Sequence, residues 1–330
     1  MKRILVLGGT NFIGKNLVNR LKKIPQLELT LFTRGVTSPN LFLDLNHMYG
    51  DRGIATDLAP VLEKSWDYVI DLSGYFPKSV RLLTSRLKNE LVKYIYISSC
   101  SVYDEMASPR PLKTEYSPIL YCQPSEESDP STATYGRRKA ECERAVISSE
   151  VPFVILRPAL VYGPEDPTDR WYYWLYQMTR SKEILVPSAG ERLFSMTYVD
   201  DLVDSIVQSL RPDAPSGIYN CISISNASIK KIISTISKIT SLNPEQLNAS
   251  ASFLKKNNIT EWTDIPLWLD SDNFTYSNQL IRERLDFVAT HFERSIRETI
   301  RFYDQNAYHY PKVGLGQDKI NELIHKLKTK

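Results

Sequence analysis

The stretch Ile4-Leu5-Val6-Leu7-Gly8-Gly9-Thr10-Asn11-Phe12-Ile13-Gly14 constrains the fold of this chain more than any other. Four apolar residues in succession read as a strand buried on both faces, the habit of parallel sheets. Gly8 and Gly9 supply backbone freedom for a tight turn and leave room for a bulky anion. Ile13, Leu17 and Leu21 recur at helical spacing, so a helix follows and aims its unpaired N–H groups back at the turn. Strand, glycine turn and helix N-terminus together predict a dinucleotide-binding α/β unit with a doubly wound parallel sheet. Gly8, Thr10, Asn11, Phe12, Ile13 and Gly14 are its candidate contacts. Asn11 holds the middle position where a third glycine is usual. Asparagine accepts a left-handed backbone more readily than most residues, so the turn is expected to survive.

Glu28–Thr33 reads as the second strand, ending at Arg34. In a dinucleotide fold this strand end meets the adenosine ribose, where a carboxylate selects a 2′-hydroxyl and a cation accommodates a 2′-phosphate. Thr33 and Arg34 bring a cation and no carboxylate. NADP(H) is therefore the expected cofactor and NAD(H) the alternative; a solvated loop arginine is the competing reading of Arg34. His47–Arg52 reads as a third, short strand, followed by a helix with Asp57 as N-cap, which leaves Asp51 and Arg52 at the ligand end of the sheet. Trp66–Tyr75 reads as a fourth strand closing in Ser73-Gly74, small enough for a cofactor to pass close, with Tyr75 and Phe76 either beside its ring or in the core.

Lys93–Tyr103 forms a further strand that ends in the hydroxyls of Ser98, Ser99 and Ser101. Residues 104–134 hold Pro109, Pro111, Pro118, Pro124 and Pro130, an irregular segment long enough to cover a site. Thr134–Val146 then reads as a helix with Tyr135 and Lys139 one turn apart on one face. An ammonium beside a phenol favours the phenolate and makes tyrosine a usable proton donor and acceptor near neutrality. Ser99 is placed to hold a substrate oxygen while Tyr135 moves the proton. The spacing alone is weak, since Tyr308 and Lys312 share it with Pro311 between them; the position after the hydroxyl-rich strand end singles out the first pair. Val151–Pro158 is a sixth strand and carries Pro158 to the ligand end.

A net charge of +3 gives no case for nucleic acid or an anionic membrane as partner. No apolar run approaches the roughly 18 residues of a membrane span. A start on a strand, with no leader before it, and four cysteines without ligand or framework spacing lead to the expectation of a reduced, cytoplasmic protein without a metal. Asp200 and Asp201 read as helix caps and not as metal ligands. Trp171–Tyr176 reads as a helix packed into a smaller domain, with substrate stacking as the other use of its rings.

Taken together, Gly8–Gly14, Ser98–Tyr103, Tyr135–Lys139, Leu156-Arg157-Pro158 with Val161–Pro164, Tyr198–Leu202 and Ser295–Tyr303 resemble the extended short-chain dehydrogenases/reductases of the NAD(P)-dependent epimerase/dehydratase family, in an atypical form. The resemblance covers Met1 to about Tyr303. It implies a Rossmann domain, at 1–164 and 194–222, and a smaller, discontinuous C-terminal substrate domain, at 165–193 and 223–330. It also implies Ser99, Tyr135 and Lys139 as catalytic triad, with Tyr135 as acid/base and Lys139 on the nicotinamide ribose. A nucleotide-sugar is the implied class of substrate and a homodimer an open expectation. Asn11, Arg34 and Asp71-Leu72-Ser73-Gly74 depart from the family pattern. Cys100-Ser101 after Ser99 lacks the acidic pair that dehydration needs, and Arg34 without a nearby acid tilts the choice to NADPH and to reduction, so a carbonyl reductase is expected, with an epimerase as alternative and a non-catalytic NADP-sensing or RNA-binding relative as a second.

Overall fold

The computed structural model describes residues 1–87, 91–107, 111–271 and 274–329. The first apolar run forms β1 (Lys2–Leu7), in which Ile4, Leu5, Val6 and Leu7 are fully buried. Each such side chain contributes about 1.5–3 kcal/mol of burial, enough to pin the strand at the centre of the sheet. The other strands are β2 (Leu27–Thr33), β3 (Asn46–Tyr49), β4 (Tyr68–Asp71), β5 (Lys93–Ile97), β6 (Phe153–Pro158), β7 (Leu160–Tyr162), β8 (Glu183–Pro187), β9 (Phe194–Tyr198), β10 (Gly217–Cys221), β11 (Ile224–Ala227) and β12 (Glu245–Ala249). The helices are α1 (Phe12–Leu21), α2 (Ala55–Leu62), α3 (Pro77–Thr84), α4 (Tyr135–Ile147), α5 (Arg170–Arg180) and α6 (Val199–Ser209). They continue as α7 (Ile229–Thr240), α8 (Ala251–Lys256), α9 (Gln279–Arg284), α10 (Phe292–Asn306) and α11 (Gln317–Lys328).

Among the described residues, seven strands pair all-parallel in the order β10-β6-β5-β4-β1-β2-β3. The order reverses beside β1, which is the doubly wound Rossmann arrangement and puts the ligand crevice at the C-terminal ends of the strands flanking the reversal. Leu17, Val18 and Leu21 give α1 its buried face. Val80 and Leu83 on α3 and Cys142, Ala145 and Val146 on α4 bury in one cluster with Leu5 and Leu7 of β1.

The chain divides into two compact units. The first comprises Met1–Ala159, Val199–Ile222 and Tyr276–Ala289; the second comprises Leu160–Tyr198, Ser223–Thr275 and Thr290–Lys330. This differs from the division expected from the sequence in two ways. Residues 160–164 and 194–198 fall in the second unit because β7 and β9 pair with each other, and β11 with β9, in a separate three-stranded sheet. Residues 276–289 return to the first, where Tyr276 stacks on Tyr103 at 5.3 Å and Asn278 Nδ2 donates to the Ile222 carbonyl at 2.8 Å.

In the second unit, the aromatic stretch forms α5 and turns Trp171, Tyr172, Tyr173 and Trp174 inward, so these four rings are core. Trp174 Nε1 donates to the Pro266 carbonyl at 2.9 Å. Tyr172 stacks with Tyr303 at 4.1 Å and with His309 at 4.5 Å, and His309 Nε2 lies 3.0 Å from buried Asp169. Asp200 and Asp201 occupy the first turn of α6, where the helix dipole favours negative charge. All four cysteines are free and buried.

Candidate active site

The turn after β1 is built for close approach. Gly8 and Gly9 have φ of +105° and +103°, which L side chains rarely adopt. A Cβ placed on Gly14 would lie 2.5 Å from Gly9 Cα and 2.7 Å from its nitrogen, so the first turn of α1 rests directly on the glycine turn. Asn11 differs from expectation. Its backbone is extended, at φ −139°, and its side chain accepts the Phe12 N–H at 3.0 Å as the N-cap of α1. The unusual angle passes to Phe12, at φ +23°. Thr10 and Ile13 are half-buried beside the turn.

Arg34 is exposed at the end of β2, and its guanidinium pairs with no carboxylate among the described residues. Arg52 is different. Its guanidinium forks onto Asp71, with Nη1 on Oδ1 and Nη2 at 2.7 Å from Oδ2, and Nη1 also reaches Ser73 Oγ at 3.2 Å. This cation is spent inside the protein and is not a free grip for a phosphate. Burial opposes ionisation of Asp71, but the Arg52 guanidinium outweighs it and holds the carboxyl below its usual range. Tyr94 donates to Asp71 at 2.5 Å, its phenol pushed far above the ordinary value by burial and then by that carboxylate. The N-cap of α2 is Ile54; Asp57 sits inside the first turn and accepts the Asp51 N–H at 2.7 Å, which pins the loop after β3. Asp51 in turn caps Gly53 at 2.8 Å.

The Ser73-Gly74 turn carries the next link. Ser73 N–H donates to Asp71 at 3.0 Å. The Gly74 carbonyl accepts from Tyr96 Oη at 2.6 Å and from Lys139 Nζ at 2.9 Å. A Cβ on Gly74 would sit 2.6 Å from the Tyr96 ring, so this glycine makes room for a tyrosine of the chain itself. Tyr75 and Phe76 are neither core nor idle: both are exposed, Tyr75 5.5 Å below the Lys139 ammonium and Phe76 under the Arg138 guanidinium at 4.7 Å.

Lys139 is 2% exposed, and its ammonium donates to the Gly74 and Ile97 carbonyls, the latter at 2.7 Å, over the Tyr96 ring at 4.2 Å. Burial pushes it down to about 8, against the pull of Cys142, Asp71 and Glu143. Tyr135 opens α4, half-buried, one turn before it. Gly136 lets that turn press on the segment that follows β5, since a Cβ there would lie 2.1 Å from the Ser101 carbonyl oxygen. Ser99 caps the 3₁₀ turn Cys100–Val102: its Oγ accepts the Ser101 N–H at 3.1 Å and donates to Ser101 Oγ at 3.0 Å. Pro158 closes β6, paired with Cys221.

Two buried pairings, of Asp71 with Arg52 and of Glu143 with Arg157, escaped the sequence reading. Asp71, fully buried, was legible as a carboxylate ending an apolar strand, a position that demands a cation. Glu143 and Arg157 form a second sealed pair, bidentate at 2.9 and 2.5 Å, with Ser98 Oγ on Glu143 and the Tyr103 phenol accepting from Arg157 at 3.0 Å. Glu143 stands one helical turn after Lys139 on α4, Arg157 comes from β6, and through Ser98 the pair props the segment that follows β5.

The glycine cradle, Arg34, unpaired among the described residues, and the sealed Lys139 all fit a nicotinamide dinucleotide at the strand ends. The family model described as NAD dependent epimerase/dehydratase family matches residues 4–221. A relative from Arabidopsis thaliana, the chloroplast stem-loop binding protein of 41 kDa b, is 30% identical over 225 residues, 63% of this chain and 55% of that protein. The chain thus matches little more than half the length of that relative. Among solved structures, the UDP-glucuronic acid 4-epimerase of Bacillus cereus in complex with NAD has a TM-score of 0.69 at 21% identity, covering 93% of this chain and all of that one. The dTDP-glucose 4,6-dehydratase of Bacillus anthracis in complex with NAD has a TM-score of 0.70 at 16% identity, covering 93% and 97%. At these identities the two structures share the fold.

Proposed function

The chain belongs to the NAD dependent epimerase/dehydratase family, and from that premise we propose that it is an NADP(H)-dependent carbonyl reductase acting on a nucleotide-sugar or a similar small polar substrate. The observation that carries this reading is the buried ammonium of Lys139, gripped by the Gly74 and Ile97 carbonyls one helical turn after Tyr135. A bound nicotinamide cofactor supplies or accepts hydride. Gly8, Thr10, Asn11, Phe12, Ile13 and Gly14 seat its diphosphate at the N-terminus of α1, and Arg34 takes the 2′-phosphate. Asp51, Ser73, Gly74 and Pro158 border the same strand ends; Arg52 acts there through Asp71 and Ser73. Lys139 keeps a third N–H beyond the two given to carbonyls, for the nicotinamide ribose, and its charge favours the phenolate of Tyr135. Tyr135 moves the proton to or from the substrate oxygen, and Ser99 turns from Ser101 to hold that oxygen.

The exchangeable reductant favours reduction over epimerisation: an epimerase retains NAD, and no carboxylate at the end of β2 invites NAD's free 2′-hydroxyl. The stem-loop binding relative favours a second reading, RNA binding, against which the intact Ser99, Tyr135 and Lys139 set and the small net charge weigh. Mass spectrometry of the nucleotide that copurifies, followed by NADPH oxidation against a panel of keto-sugar nucleotides, tests the proposal. Copurified NADP(H) and turnover on at least one keto-sugar are expected. Copurified NAD with epimer exchange and no net NADPH oxidation points to the epimerase, and RNA retention without turnover to the binding relative.

A further inference from the structure

Arg52 and Asp71 do more than close the floor of the sheet. In the strand order, β1 and β2 separate β3 from β4, yet Arg52 from the loop after β3 reaches the end of β4 and forks onto Asp71. Asp71 organises the turn that follows: it accepts the Ser73 N–H, and Ser73 Oγ accepts from Arg52. One residue later, the Gly74 carbonyl is the acceptor that holds Lys139. The buried Asp71 carboxylate, which acts on the buried Lys139 ammonium, also offsets part of the cost of keeping two cations out of water. We propose that Arg52 and Asp71 are a positioning pair for Lys139: through the Ser73-Gly74 turn they fix the acceptor that grips its ammonium, and their opposed charges set the field it sits in, the Asp71 carboxylate favouring that charge and the Arg52 guanidinium opposing it. The proposal rests on the reading of Lys139 as the lysine that faces the cofactor.

The consequence is one of donor count. An ammonium has three N–H donors. Lys139 gives two to the Gly74 and Ile97 carbonyls and keeps one. The neutral amine has two, both claimed by those carbonyls, so deprotonation removes the donor that would reach a ribose hydroxyl. The groups that face the ammonium are Asp71 on β4, Arg52 from the loop after β3, Tyr75 after β4, Tyr96 on β5, and Cys142 and Glu143 on α4 itself. Of these, Asp71 and Arg52 act on it with opposite signs.

That opposition gives a test that a merely structural pair would fail. The titration of Lys139 is followed by the ¹³Cε shift of labelled lysine, assigned with Lys139→Arg, in the full-length protein without cofactor. Asp71→Asn lowers the midpoint by roughly one pH unit and Arg52→Gln raises it. Movement of both midpoints in one direction, or of neither, overturns the proposal. Should Asp71→Asn fail to fold, Arg52→Gln decides alone, and a midpoint that is unmoved or lower refutes the pair. NADPH titration of the same samples separates this from the functional reading. Opposite midpoint shifts in a protein that binds neither NADPH nor NADH keep the pair and discard the cofactor; binding with unmoved midpoints does the reverse.

Discussion

Gly14→Ala is a sharp probe of the cofactor turn, because the space it would fill is already occupied. The new Cβ would stand 2.5 Å from Gly9 Cα, 2.7 Å from its nitrogen and 2.9 Å from its carbonyl carbon. The optimal carbon–carbon separation is about 3.5–4.0 Å, so the fit is short by roughly 1 Å. All three atoms are backbone, and no rotamer change relieves the clash. Either α1 withdraws from the turn or Gly9 shifts, and overpacking of this kind costs about 1–3 kcal/mol. The same movement pulls the N–H groups of α1 away from where a diphosphate sits. Thermal unfolding should show a lower melting temperature, and NADPH fluorescence titration a loss of affinity well beyond that of Asn11→Gly, which gives up a cap worth only a few tenths of a kcal/mol against glycine. A Gly14→Ala protein that melts and binds like the parent would refute the reasoning.

Three other outcomes follow from the same structure. Arg34→Ala should weaken NADPH by about tenfold and leave NADH nearly unchanged, since its guanidinium has no partner among the described residues; equal losses in parallel isotherms would contradict it. Glu143→Gln leaves the buried Arg157 without its carboxylate and should cost about 3–5 kcal/mol, read as a large drop in melting temperature, while the double change Glu143→Leu with Arg157→Met should be milder than the single one. Cofactor affinity should fall as pH rises through about 8, where Lys139 loses its proton and with it the third donor; a flat affinity from pH 7 to 9.5 would show that this ammonium does not touch the cofactor.

The sequence made β1, its glycine turn and α1 readable because strand burial, turn chemistry and helical period agree along the stretch from Ile4 to Leu21. Tyr135 and Lys139 were readable for the same local reason, four residues apart on one helix. What escaped depends on distance along the chain. Arg52 and Asp71 meet across two intervening strands, and no periodicity reports such a contact. The return of residues 276–289 to the first unit hangs on a ring stack and a carbonyl, signals too short to register as a pattern. Asn11 was visible for the wrong property: an asparagine directly before a helical period is first of all an N-cap, and the structure uses it so. Asp57 erred in the other direction, two residues inside the helix it was expected to start, with its carboxylate serving the loop before it.

The central claim, proton transfer by Tyr135 beside a cofactor held by Lys139, is tested most directly by single-turnover hydride transfer from NADPH to a keto-sugar nucleotide in the parent and in Tyr135→Phe. The phenyl ring keeps the packing at the start of α4 and loses only the proton. The account predicts a rate lower by about 10²–10⁴ with NADPH affinity unchanged. A Tyr135→Phe protein that transfers hydride at the parent rate contradicts it.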